Sequence, residues 1–474
     1  MIERLASDSR RCAPGVAFFA YPGAAADGRT HIPEAIGRGA AGVLWEADGF
    51  AWRDAWRVPN APVRGLKAQA GVLAHEFYGR PSEALWTCGV TGTNGKTSCS
   101  QWLAAALTGA GAKCGVLGTL GAGFPGALAD AGNTTPDALE LHRTLAAMRR
   151  EGAAAVAMEV SSHGLDQGRV NGVAFDCALF TNLTHDHLEY HGSMQAYAAA
   201  KARLFEIEAL GCAVLNLDDA FGVQLATRLR ERGVRTIGYS LSPSGVAPGS
   251  VSEFLAAARI APERLELATS WGAAQTAFQP IGRFNVANAL GVLGCLLAYG
   301  QPFAQAVAAL AALPPVPGRM QRVGDAPLTV IDYAHSPDAL EKVLQALRPI
   351  AQSRGGRLAL VFGAGGDRDR SKRAPMGAAA SRLADRIVLT SDNPRSEDPL
   401  AILREIEAGV GAPHALEPDR ARAIEAAIGE AADADVVLIA GKGHESWQEI
   451  AGRREPFSDA QVARAALERR AGKR

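Results

Sequence analysis

Short apolar runs alternate with longer segments of helical composition over most of this chain. From residue 84 onward, apolar runs of strand length lie at residues 84–90, 114–120, 153–160, 175–183 and 212–217. Helix-length segments separate them, at residues 99–107, 136–150 and 194–210. Apolar strands that alternate with helices are typical of a parallel sheet covered on both faces. The pattern therefore predicts a doubly wound, mostly parallel α/β sheet, with Thr134 or Thr135 as the cap of the second helix.

This alternation of strand-like and helical segments changes at two places. Before residue 84, strand-like runs at residues 15–20 and 42–45 are separated by turn-rich segments. At residues 313–318, the sequence Leu-Pro-Pro-Val-Pro-Gly contains three prolines and cannot continue a helix. Strand-like runs then resume, at residues 328–333, 357–363, 386–390 and 436–440. We expect three α/β domains: a small N-terminal domain at residues 1–84, a central doubly wound domain at 85–313 and a Rossmann-like C-terminal domain at 314–474.

Length and composition agree with this division and narrow the class of protein. A chain of 474 residues, 48% hydrophobic and 21% charged, is long enough for several ordinary globular domains. The formal net charge of +0 gives no reason to expect nucleic acid or an anionic membrane as a partner. Seven scattered cysteines without a Cys-x-x-Cys spacing indicate free thiols in a reducing compartment. Because the chain shows neither a signal-peptide layout nor a bilayer-length apolar run, we expect a soluble cytoplasmic enzyme that is not membrane-embedded.

The most specific chemical signal is the loop Gly92-Thr-Asn-Gly-Lys-Thr97, between the apolar run at 84–90 and a helical segment. Glycines in such a loop let backbone N–H groups approach phosphates, and the N-terminus of the following helix adds its positive end. Lys96 can reach the β- and γ-phosphates of a nucleotide, and the Thr97 hydroxyl can bind Mg²⁺. The spacing departs from the standard loop, because Val90 lies where the first glycine is usual. The loop predicts a P-loop ATPase fold for the central domain.

Two polar clusters follow later apolar runs, where open α/β sheets bind their ligands. Glu159 ends one run and can either bind Mg²⁺ or cap its own loop; the glycine loop upstream favours the metal. Three histidines and two carboxylates lie within residues 181–191. Zinc is one interpretation, but no cysteine joins the cluster and its spacing fits no common zinc site. We prefer Mg²⁺, with His187 as the best candidate ligand.

The C-terminal domain has further clusters at predicted strand ends. Asp392-Asn-Pro-Arg395 places a carboxylate beside a guanidinium, which suits the ammonium and carboxylate of an amino acid. An Asn-Pro turn with an exposed arginine explains these four residues about equally well. The glycines within residues 362–373 resemble a dinucleotide loop only weakly. Residues 331–338 lead from a predicted strand into a polar loop and the start of a helix. Gly441-Lys-Gly-His-Glu445 ends the last apolar run and can line the same crevice.

Together the motifs resemble those of the Mur ligases, the ATP-dependent amino-acid-adding enzymes of peptidoglycan synthesis. The resemblance covers essentially the whole chain and rests on Gly92-Thr-Asn-Gly-Lys-Thr97, Glu159-Val-Ser-Ser-His163, Asn182-Leu-Thr-His-Asp-His187, Gly282-Arg-Phe-Asn285, Pro317-Gly-Arg319 and Asp332-Tyr-Ala-His335. The quartet Asp392-Asn-Pro-Arg395 is similar to that of the members that add meso-diaminopimelate. Lysine-adding members differ there.

The resemblance implies a role for each matching residue. ATP would be bound by Gly92, Thr93, Asn94, Gly95, Lys96, Thr97, Ser98, Asn285, Arg319, Asp332 and His335. Mg²⁺ would be held by Thr97, Glu159, His187 and a carbamylated Lys201 (N6-carboxylysine), and the catalytic set would be Lys96, Lys201, Glu159 and His187. The UDP-sugar dipeptide would contact Leu5, Ser9, Asn133, Thr134, Thr135, Ser161, Gln167 and Arg169, and backbone atoms at the alanines of residues 24–26. Diaminopimelate would be bound by Arg368, Asp392, Asn393, Pro394, Arg395, Gly441 and Glu445.

The implied function is an ATP-dependent amide ligase of cytoplasmic peptidoglycan precursor synthesis. It would join meso-2,6-diaminopimelate to the D-glutamate γ-carboxylate of UDP-N-acetylmuramoyl-L-alanyl-D-glutamate through an acyl phosphate. We expect a monomer that uses ATP and Mg²⁺ and has small-molecule substrates. Two alternatives stay open. Folylpolyglutamate synthase shares this architecture and chemistry, and a nucleotide-gated switch would bind ATP without forming an amide.

Overall fold

The structure is a computed structural model that describes residues 1–23, 26–247, 249–261, 264–278 and 281–472. Ala24 and Ala25, where backbone contacts to uridine are expected, lie outside the described residues. The chain divides into two interleaved units. Unit 1 comprises Met1–Leu183, Ser193–Ala277 and Ala289–Ala312, and unit 2 comprises Thr184–Gly192, Phe278–Asn288 and Leu313–Arg474.

The first sheet of unit 1 is parallel throughout. Its strands lie side by side in the order β1 (Arg4–Ala6), β2 (Val16–Ala20), β3 (Gly42–Glu46) and β4 (Asn60–Val63). Helices α1 (Ile32–Gly37) and α2 (Leu66–Phe77) accompany them. Every residue of β2 is buried, because successive side chains enter different apolar clusters. Phe18 belongs to the cluster that contains Trp45, and Phe19 to the cluster that contains Leu66.

The second sheet of unit 1 contains eleven strands within the described residues. They are β5 (Trp86–Thr91), β6 (Cys114–Gly118), β7 (Gly121–Phe124), β8 (Ala127–Ala129), β9 (Ala155–Glu159), β10 (Cys177–Phe180), β11 (Cys212–Asn216), β12 (Arg235–Ser240), β13 (Glu253–Ala261), β14 (Arg264–Thr269) and β15 (Gly272–Thr276). Their order is β15-β14-β13-β12-β11-β10-β5-β9-β6-β7-β8. The middle, from β13 to β6, is parallel as predicted. Antiparallel strands that the sequence does not predict extend both edges.

Helices connect the strands of this sheet, and two of them differ from the prediction. They are α3 (Lys96–Gly109), α4 (Ala138–Arg150), α5 (Ser162–Asp166), α6 (Leu188–His191), α7 (Met194–Ala202), α8 (Ala220–Glu231), α9 (Arg283–Tyr299) and α10 (Phe303–Ala311). The cap of α4 is Asp137, whose side chain accepts from two backbone N–H groups, so the prediction of Thr134 or Thr135 is wrong. Helix α7 ends at Ala202 and continues only as a 3-10 turn to Phe205, so the helix predicted at 194–210 is too long.

Unit 2 contains a third sheet with apolar clusters on both faces. Its strands are β16 (Gln321–Asp325), β17 (Leu328–Asp332), β18 (Leu358–Phe362), β19 (Arg386–Leu389), β20 (His414–Leu416) and β21 (Val436–Ala440), in the order β16-β17-β21-β18-β19-β20. All neighbouring pairs are parallel except β16 and β17. A separate hairpin, β22 (Trp447–Ile450) and β23 (Arg453–Pro456), follows. The helices are α11 (Pro337–Ser353), α12 (Arg373–Leu383), α13 (Pro399–Glu407), α14 (Arg420–Glu430) and α15 (Asp459–Gly472).

Alternate residues of the unit 2 strands enter opposite clusters. Leu360 packs with Leu344 of α11, whereas Val361 packs with Ile424 of α14. This two-faced burial explains why the strands read as continuous apolar runs. The predicted α/β fold class is therefore confirmed. The domain boundaries at residues 84 and 313 stay a prediction.

Two further observations concern the chain as a whole. Among the described residues, no helix combines the length and the apolar character needed to cross a bilayer. All seven cysteines are buried free thiols.

Candidate active site

The predicted phosphate-binding loop joins β5 to α3, and Gly95 immediately precedes the first helical residue, Lys96. Gly92 has φ +146° and Gly95 has φ +89°, in the region that favours glycine. A Cβ on Gly92 would lie 1.9 Å from Thr181 Oγ1. Glycine is required there because the neighbouring strand end passes too close for any side chain. The local structure is the strand–loop–helix that phosphate binding needs.

The loop is held by the residues that follow β10. The backbone N–H of Thr93 donates to Asn182 O at 2.8 Å. The N–H of Asn94 donates to Asn182 Oδ1 at 3.0 Å, and the Asn182 side-chain amide donates to Asn94 O at 3.0 Å. Thr181 Oγ1 donates to the same Asn94 carbonyl at 2.6 Å. The loop conformation is therefore fixed from a neighbouring strand as well as by its own glycines.

Two lysines meet at one carbonyl of this loop. Lys96 Nζ donates to Gly92 O at 2.9 Å and to Thr93 O at 2.8 Å. Lys201 Nζ donates to Gly92 O at 2.8 Å, although the residue is only 1% exposed. It also lies 4.4 Å from the centre of the Tyr197 ring, whose hydroxyl is hydrogen-bonded to Thr93 Oγ1 at 3.1 Å. The structure thus brings the predicted catalytic residues Lys96 and Lys201 together at the loop.

Glu159 ends β9 and is buried beside the start of α3. Its Oε2 accepts from Thr97 Oγ1 at 3.1 Å and from Thr119 Oγ1 at 3.1 Å. Its Oε1 accepts from the backbone N–H of Thr119 at 2.8 Å, which is the loop-capping contact that the sequence left open. The carboxylate of Glu159 and the hydroxyl of Thr97 are hard oxygen donors side by side. Such a pair fits Mg²⁺, whose protein ligands are mainly oxygen atoms.

Several predicted UDP-sugar residues are hydrogen-bonded to the surroundings of Glu159. The hydroxyls of Thr119 and Thr134 are 3.1 Å apart. Thr135 Oγ1 donates to the backbone O of Glu159 at 2.9 Å and accepts from the N–H of Ser161 at 3.0 Å. Ser161 in turn caps α5 with its hydroxyl. Hydrogen bonds therefore connect these hydroxyls to Glu159, which is one of the predicted metal ligands.

The remaining predicted UDP-sugar residues of the central sheet have differing environments. Arg169 donates to Thr135 O at 2.7 Å and, through Nε and Nη2, to Gln167 Oε1 at 3.0 and 2.6 Å. Asn133 is exposed at the surface. Arg169 and Gln167 are thus fixed next to Thr135.

Leu5 and Ser9 lie at the first sheet of unit 1 and are both buried. The N–H of Leu5 donates to the Tyr78 hydroxyl at 3.0 Å. Ser9 Oγ donates to Glu34 Oε2 at 2.8 Å. These contacts fix the local backbone, and the proposed uridine contacts of both residues stay predictions.

In unit 2, Asp332 ends β17 with both carboxylate oxygens occupied. Oδ2 accepts from the N–H of Met320 and Oδ1 from the N–H of Ala334, each at 2.8 Å. Burial raises the pKa of Asp332, and the charge of Arg319 opposes the rise. The Arg319 guanidinium lies 4.5 Å from the centre of the Tyr333 ring. Asp332 thereby holds the segment after the proline-rich linker against the end of β17.

His335 is held with its ring next to this segment. Its Nδ1 donates to Tyr333 O at 2.8 Å. Burial lowers the pKa of His335, the charge of Lys372 adds to this effect, and Asp186 opposes it. A lowered pKa keeps the imidazole neutral at physiological pH, with Nε2 as an acceptor. The predicted nucleotide residues Arg319, Asp332 and His335 are therefore close together.

Asn285 and His187 belong to chain segments that group with unit 2. Asn285 is buried in α9, where its amide donates to Ile281 O at 2.9 Å and its Oδ1 accepts from Asn288 Nδ2 at 3.2 Å. His187 precedes α6 with φ +55° and pairs with Asp186 at 3.5 Å and Glu189 at 3.6 Å. The four predicted metal ligands are therefore divided between the two units. His187 belongs to unit 2, whereas Thr97, Glu159 and Lys201 belong to unit 1.

The predicted diaminopimelate residues surround the C-terminal ends of β19 and β21. Asp392 and Asn393 are buried in the segment that follows β19. Gly441 follows β21 with φ +116°, and a Cβ there would lie 2.3 Å from Asp392 Oδ2. Asn393 Nδ2 donates to Glu445 Oε2 at 2.7 Å. Asp392, Asn393, Gly441 and Glu445 therefore form one group in space.

Arg395 extends this group. Its backbone has φ +54°, its N–H donates to Glu449 O at 3.0 Å, and its Nη1 donates to Gly366 O at 2.6 Å. The backbone O of Pro394 lies against Gly366, where a Cβ would be only 1.9 Å away. Arg368 is exposed nearby, with its Cγ 3.6 Å from the position of a Cβ on Gly365. The glycines of residues 362–373 thus give room to Pro394 and Arg395, which explains them without a dinucleotide.

Comparisons with known proteins agree with this architecture. The family model described as Mur ligase family, catalytic domain matches residues 1–78, the Mur ligase middle domain matches 90–296, and the Mur ligase, glutamate ligase domain matches 318–443. A Chromobacterium violaceum protein named UDP-N-acetylmuramoyl-L-alanyl-D-glutamate–2,6-diaminopimelate ligase is 52% identical over 470 residues, which cover 98% of this chain and 94% of that protein. This chain belongs to the Mur ligase family.

Solved structures of Mur ligases show the same fold. A structure of UDP-N-acetylmuramoyl-L-alanyl-D-glutamate–2,6-diaminopimelate ligase has a TM-score of 0.68 and 34% identity, with 99% of this chain and 95% of that chain covered. The MurF ligase from Thermotoga maritima in complex with ADP has a TM-score of 0.65 and 19% identity, with 99% and 98% covered. The second likeness shows the fold alone.

Some residues that shape this candidate site are not among the site residues predicted from the sequence. Thr119 holds Glu159 from 40 positions away, Thr181 holds Asn94 from 87 positions away, and Lys442 holds Asn393 from 49 positions away. The available signal for Lys442 is its place inside Gly441-Lys-Gly-His-Glu445. No comparable signal marks Thr119.

Proposed function

We propose that this protein is an ATP-dependent ligase that adds meso-2,6-diaminopimelate to the D-glutamate γ-carboxylate of UDP-N-acetylmuramoyl-L-alanyl-D-glutamate. The observation that carries the proposal is the group formed by Asp392, Asn393, Arg395, Gly441 and Glu445, in a chain 52% identical to a protein named for that reaction. The carboxylates of Asp392 and Glu445 and the guanidinium of Arg395 are the groups that would receive the ammonium and the distal carboxylate of such an amino acid. Lysine lacks that distal carboxylate.

The nucleotide is proposed to bind at the loop between β5 and α3. Gly92 and Gly95 give its phosphates access to backbone N–H groups, and Lys96 supplies a positive charge that can leave Gly92 O for a phosphate oxygen. Asn285, Arg319, Asp332 and His335 are assigned to the same nucleotide from the motifs. Mg²⁺ held by the oxygen atoms of Thr97 and Glu159 would neutralise phosphate charge when bound.

The chemistry proceeds in two displacements. A carboxylate is a poor electrophile, so a γ-carboxylate oxygen of D-glutamate first attacks the γ-phosphorus of ATP, and ADP leaves. The neutral amine of diaminopimelate then attacks the acyl carbon, the C–O bond to phosphate breaks, and the amine proton leaves with inorganic phosphate as the amide bond forms. Lys96 stabilises charge on the transferred phosphoryl group. Asp392 and Glu445 orient the amino acid so that one of its amines faces the acyl carbon.

Lys201 is proposed to act as a carbamylated residue. Its amine is buried at Gly92 O, next to the loop, so addition of CO₂ would convert a cation into a carboxylate ligand at that place. Intact-mass measurement is a poor test because carbamates dissociate in acid. ¹³C NMR of protein kept in ¹³C-bicarbonate tests the proposal, and Lys201→Ala should lack the carbamate signal.

In the decisive assay, purified protein is incubated with ATP, Mg²⁺, the UDP-muramoyl dipeptide and either diaminopimelate or lysine. We expect amide product with diaminopimelate and one ADP for each amide, and little product with lysine. Equal use of lysine would contradict the assigned specificity. Product from tetrahydrofolate and glutamate would favour a folylpolyglutamate synthase, and ATP binding without turnover would favour a switch.

We further propose that the protein is a monomer in the cytoplasm with small-molecule substrates. The charge balance and the scattered free cysteines support this proposal. Light scattering after size exclusion and fractionation of cells test the two parts. A dimer in solution or enrichment outside the cytoplasm would contradict them.

A further inference from the structure

Lys442 is a buried cation to which neither the proposed reaction nor the motifs assign a role. Its side chain is 0% exposed, and lysine is rarely buried without a partner. Nζ donates to Asn393 Oδ1 at 2.9 Å and to Glu445 Oε2 at 2.8 Å. It lies 5.5 Å from the centre of the Trp447 ring. Both acceptors belong to the proposed amino-acid pocket.

The first consequence concerns the amide of Asn393. Its Oδ1 accepts from Lys442 and also from the backbone N–H of Glu449 at 3.0 Å. Two donors on one side of the amide determine which end is oxygen. Nδ2 must therefore face the opposite way, where it donates to Glu445. Without Lys442, Oδ1 of Asn393 would keep only the backbone donor of Glu449, and the orientation of the amide would depend on that bond and on the bond from Nδ2 to Glu445.

The second consequence concerns the carboxylate of Glu445. Lys442 and Asn393 donate to the same oxygen, Oε2. Oε2 is thereby occupied, and the carboxylate plane is fixed by two donors from within its own pocket. Oε1 is then the oxygen that is oriented to accept from a ligand. Lys442 also balances part of the negative charge that Asp392 and Glu445 bring together.

We propose that Lys442 is a positioning residue for the amino-acid substrate, because it fixes Asn393 and Glu445 in the orientation that receives the substrate's ammonium group. This inference rests on the proposed function. It concerns recognition of a zwitterionic amino acid and leaves nucleotide binding untouched. The alternative is a buried ion pair that only stabilises the fold.

The first experiment compares Lys442→Met with wild type in the amide-forming assay. Methionine matches the lysine side chain as far as Cε and removes the ammonium group with its charge and donors. Loss of hydrogen bonds to a charged group predicts a rise of about 10- to 100-fold in KM for diaminopimelate. KM for ATP and for the UDP-muramoyl dipeptide should stay within about twofold. Lys342→Met is the matched control, because Lys342 pairs with Asp338 on the exposed side of α11.

A double-mutant cycle separates positioning from stability. Glu445→Gln alone should raise KM for diaminopimelate, and Lys442→Met combined with Glu445→Gln should raise it little further, because the two residues act through one contact. The double variant removes both charges of the Lys442–Glu445 pair together, which protects the test if Lys442→Met alone folds poorly. Thermal unfolding of every variant is measured in parallel.

The outcomes are distinct. Wild type that forms no amide with diaminopimelate would defeat the proposed function itself. An active wild type together with Lys442→Met of unchanged KM would overturn only the positioning role. Equal rises of KM for ATP and diaminopimelate, or fully additive effects in the cycle, would also overturn it in favour of a structural ion pair.

Discussion

At the scale of single residues, the carbonyl of Gly92 is the acceptor for two ammonium groups, those of Lys96 and Lys201. A carbonyl oxygen has two lone pairs and can accept both. The two cations nevertheless repel each other, and an anionic phosphate nearby would relieve that repulsion. Carbamylation of Lys201 would relieve it in a second way, by removing one of the two positive charges.

Lys96→Ala tests the part of Lys96 in this arrangement. We expect loss of ATP-dependent product, because no other side chain of the loop carries a positive charge to the transferred phosphoryl group. Product formation is followed by mass spectrometry of the UDP-linked species. Lys113→Ala is the control, since Lys113 is exposed and its Nζ donates to the backbone of Glu151. Retained turnover in Lys96→Ala would remove the phosphate role.

Arg395→Ala tests the specificity of the amino-acid pocket. Losing the partner of a buried substrate carboxylate costs roughly 2–5 kcal/mol, so kcat/KM for diaminopimelate should fall by at least about thirtyfold. Steady-state kinetics with varied diaminopimelate measures the change, and KM for ATP should be unaffected. Arg382→Ala, which removes an exposed pair with Glu341 in the same unit, should behave as wild type. Unchanged kinetics in Arg395→Ala would end the specificity assignment.

At the scale of elements, the middle strands are predictable because each is buried on both faces and reads as one apolar run. Strand β21 lies at Val436–Ala440, as the sequence predicts. The edge hairpin of β7 and β8 is not predictable, since Gly121–Phe124 and Ala127–Ala129 show no alternation of apolar and polar residues. The mistaken helix cap has a similar cause. Threonine is a common N-cap residue, but the hydroxyl of Thr135 is hydrogen-bonded to the backbone of Glu159 and Ser161 instead.

The candidate site also has residues that the sequence predicts and residues that it does not. Motifs at strand ends locate Lys96, Glu159 and Asp392, because parallel strands bring their carboxyl ends to one edge of the sheet. Thr119 acts by contacts far along the chain and has no local pattern to mark it, and Lys442 is marked only by its place inside Gly441-Lys-Gly-His-Glu445. Their roles depend on the register of the strands and become visible only in the folded chain.

The three thiols of Cys88, Cys177 and Cys295 show that packed elements can bring reactive groups together without forming a functional site. Within the described residues their sulfur atoms lie within 4.8 Å of one another, where β5 and β10 meet α9. The Cys88–Cys295 and Cys177–Cys295 sulfur distances are 3.8 and 4.0 Å, and all three residues are fully buried. A metal thiolate there would be a buried charge among apolar neighbours, which is costly. We interpret the group as small apolar residues that let α9 pack closely.

Gly92→Ala tests the loop as an element. A Cβ there would lie 1.9 Å from Thr181 Oγ1 at a φ of +146°, so the strand end or the loop must move. We expect at least about a tenfold loss of nucleotide affinity, measured with a fluorescent ATP analogue, together with a lower Tm. Gly109→Ala at the end of α3 is the control, because a Cβ there has nothing within 4 Å. It should be neutral or stabilising by up to about 1 kcal/mol. Equal affinities for wild type and Gly92→Ala would show that the close approach is not needed.

At the scale of the whole molecule, stability depends on pH through buried ion pairs such as that of Arg373 in unit 2. Arg373 is fully buried and donates to both oxygens of Glu397, at 2.8 and 2.9 Å. The hydrogen bonds from Arg373 lower the pKa of Glu397 from 4.5 to about 2. A carboxyl group with a lowered folded-state pKa stabilises the fold fully above its unfolded pKa, and this contribution is lost as the pH falls toward the folded value.

Glu397→Gln should therefore be less stable than wild type near pH 7, by about 1–3 kcal/mol for the lost charged hydrogen bonds. The difference between the two proteins should persist down to about pH 5 and shrink between pH 4.5 and pH 2 as Glu397 is protonated. Urea unfolding at several pH values measures it. Glu468→Gln, at an exposed position of α15, serves as the control. A difference that is constant over this pH range would contradict the assignment.

The interleaving of the two units has a consequence for the nascent chain. Ile281 and Phe284 pack against the apolar cluster of unit 2, whose other members lie beyond residue 313. Unit 1 has all of its residues once Ala312 has been translated. At about 5–20 residues per second, the ribosome needs roughly 10–30 s more to deliver the rest. During that interval Ile281 and Phe284 lack the other members of their apolar cluster, and we expect chaperones to engage the nascent protein there.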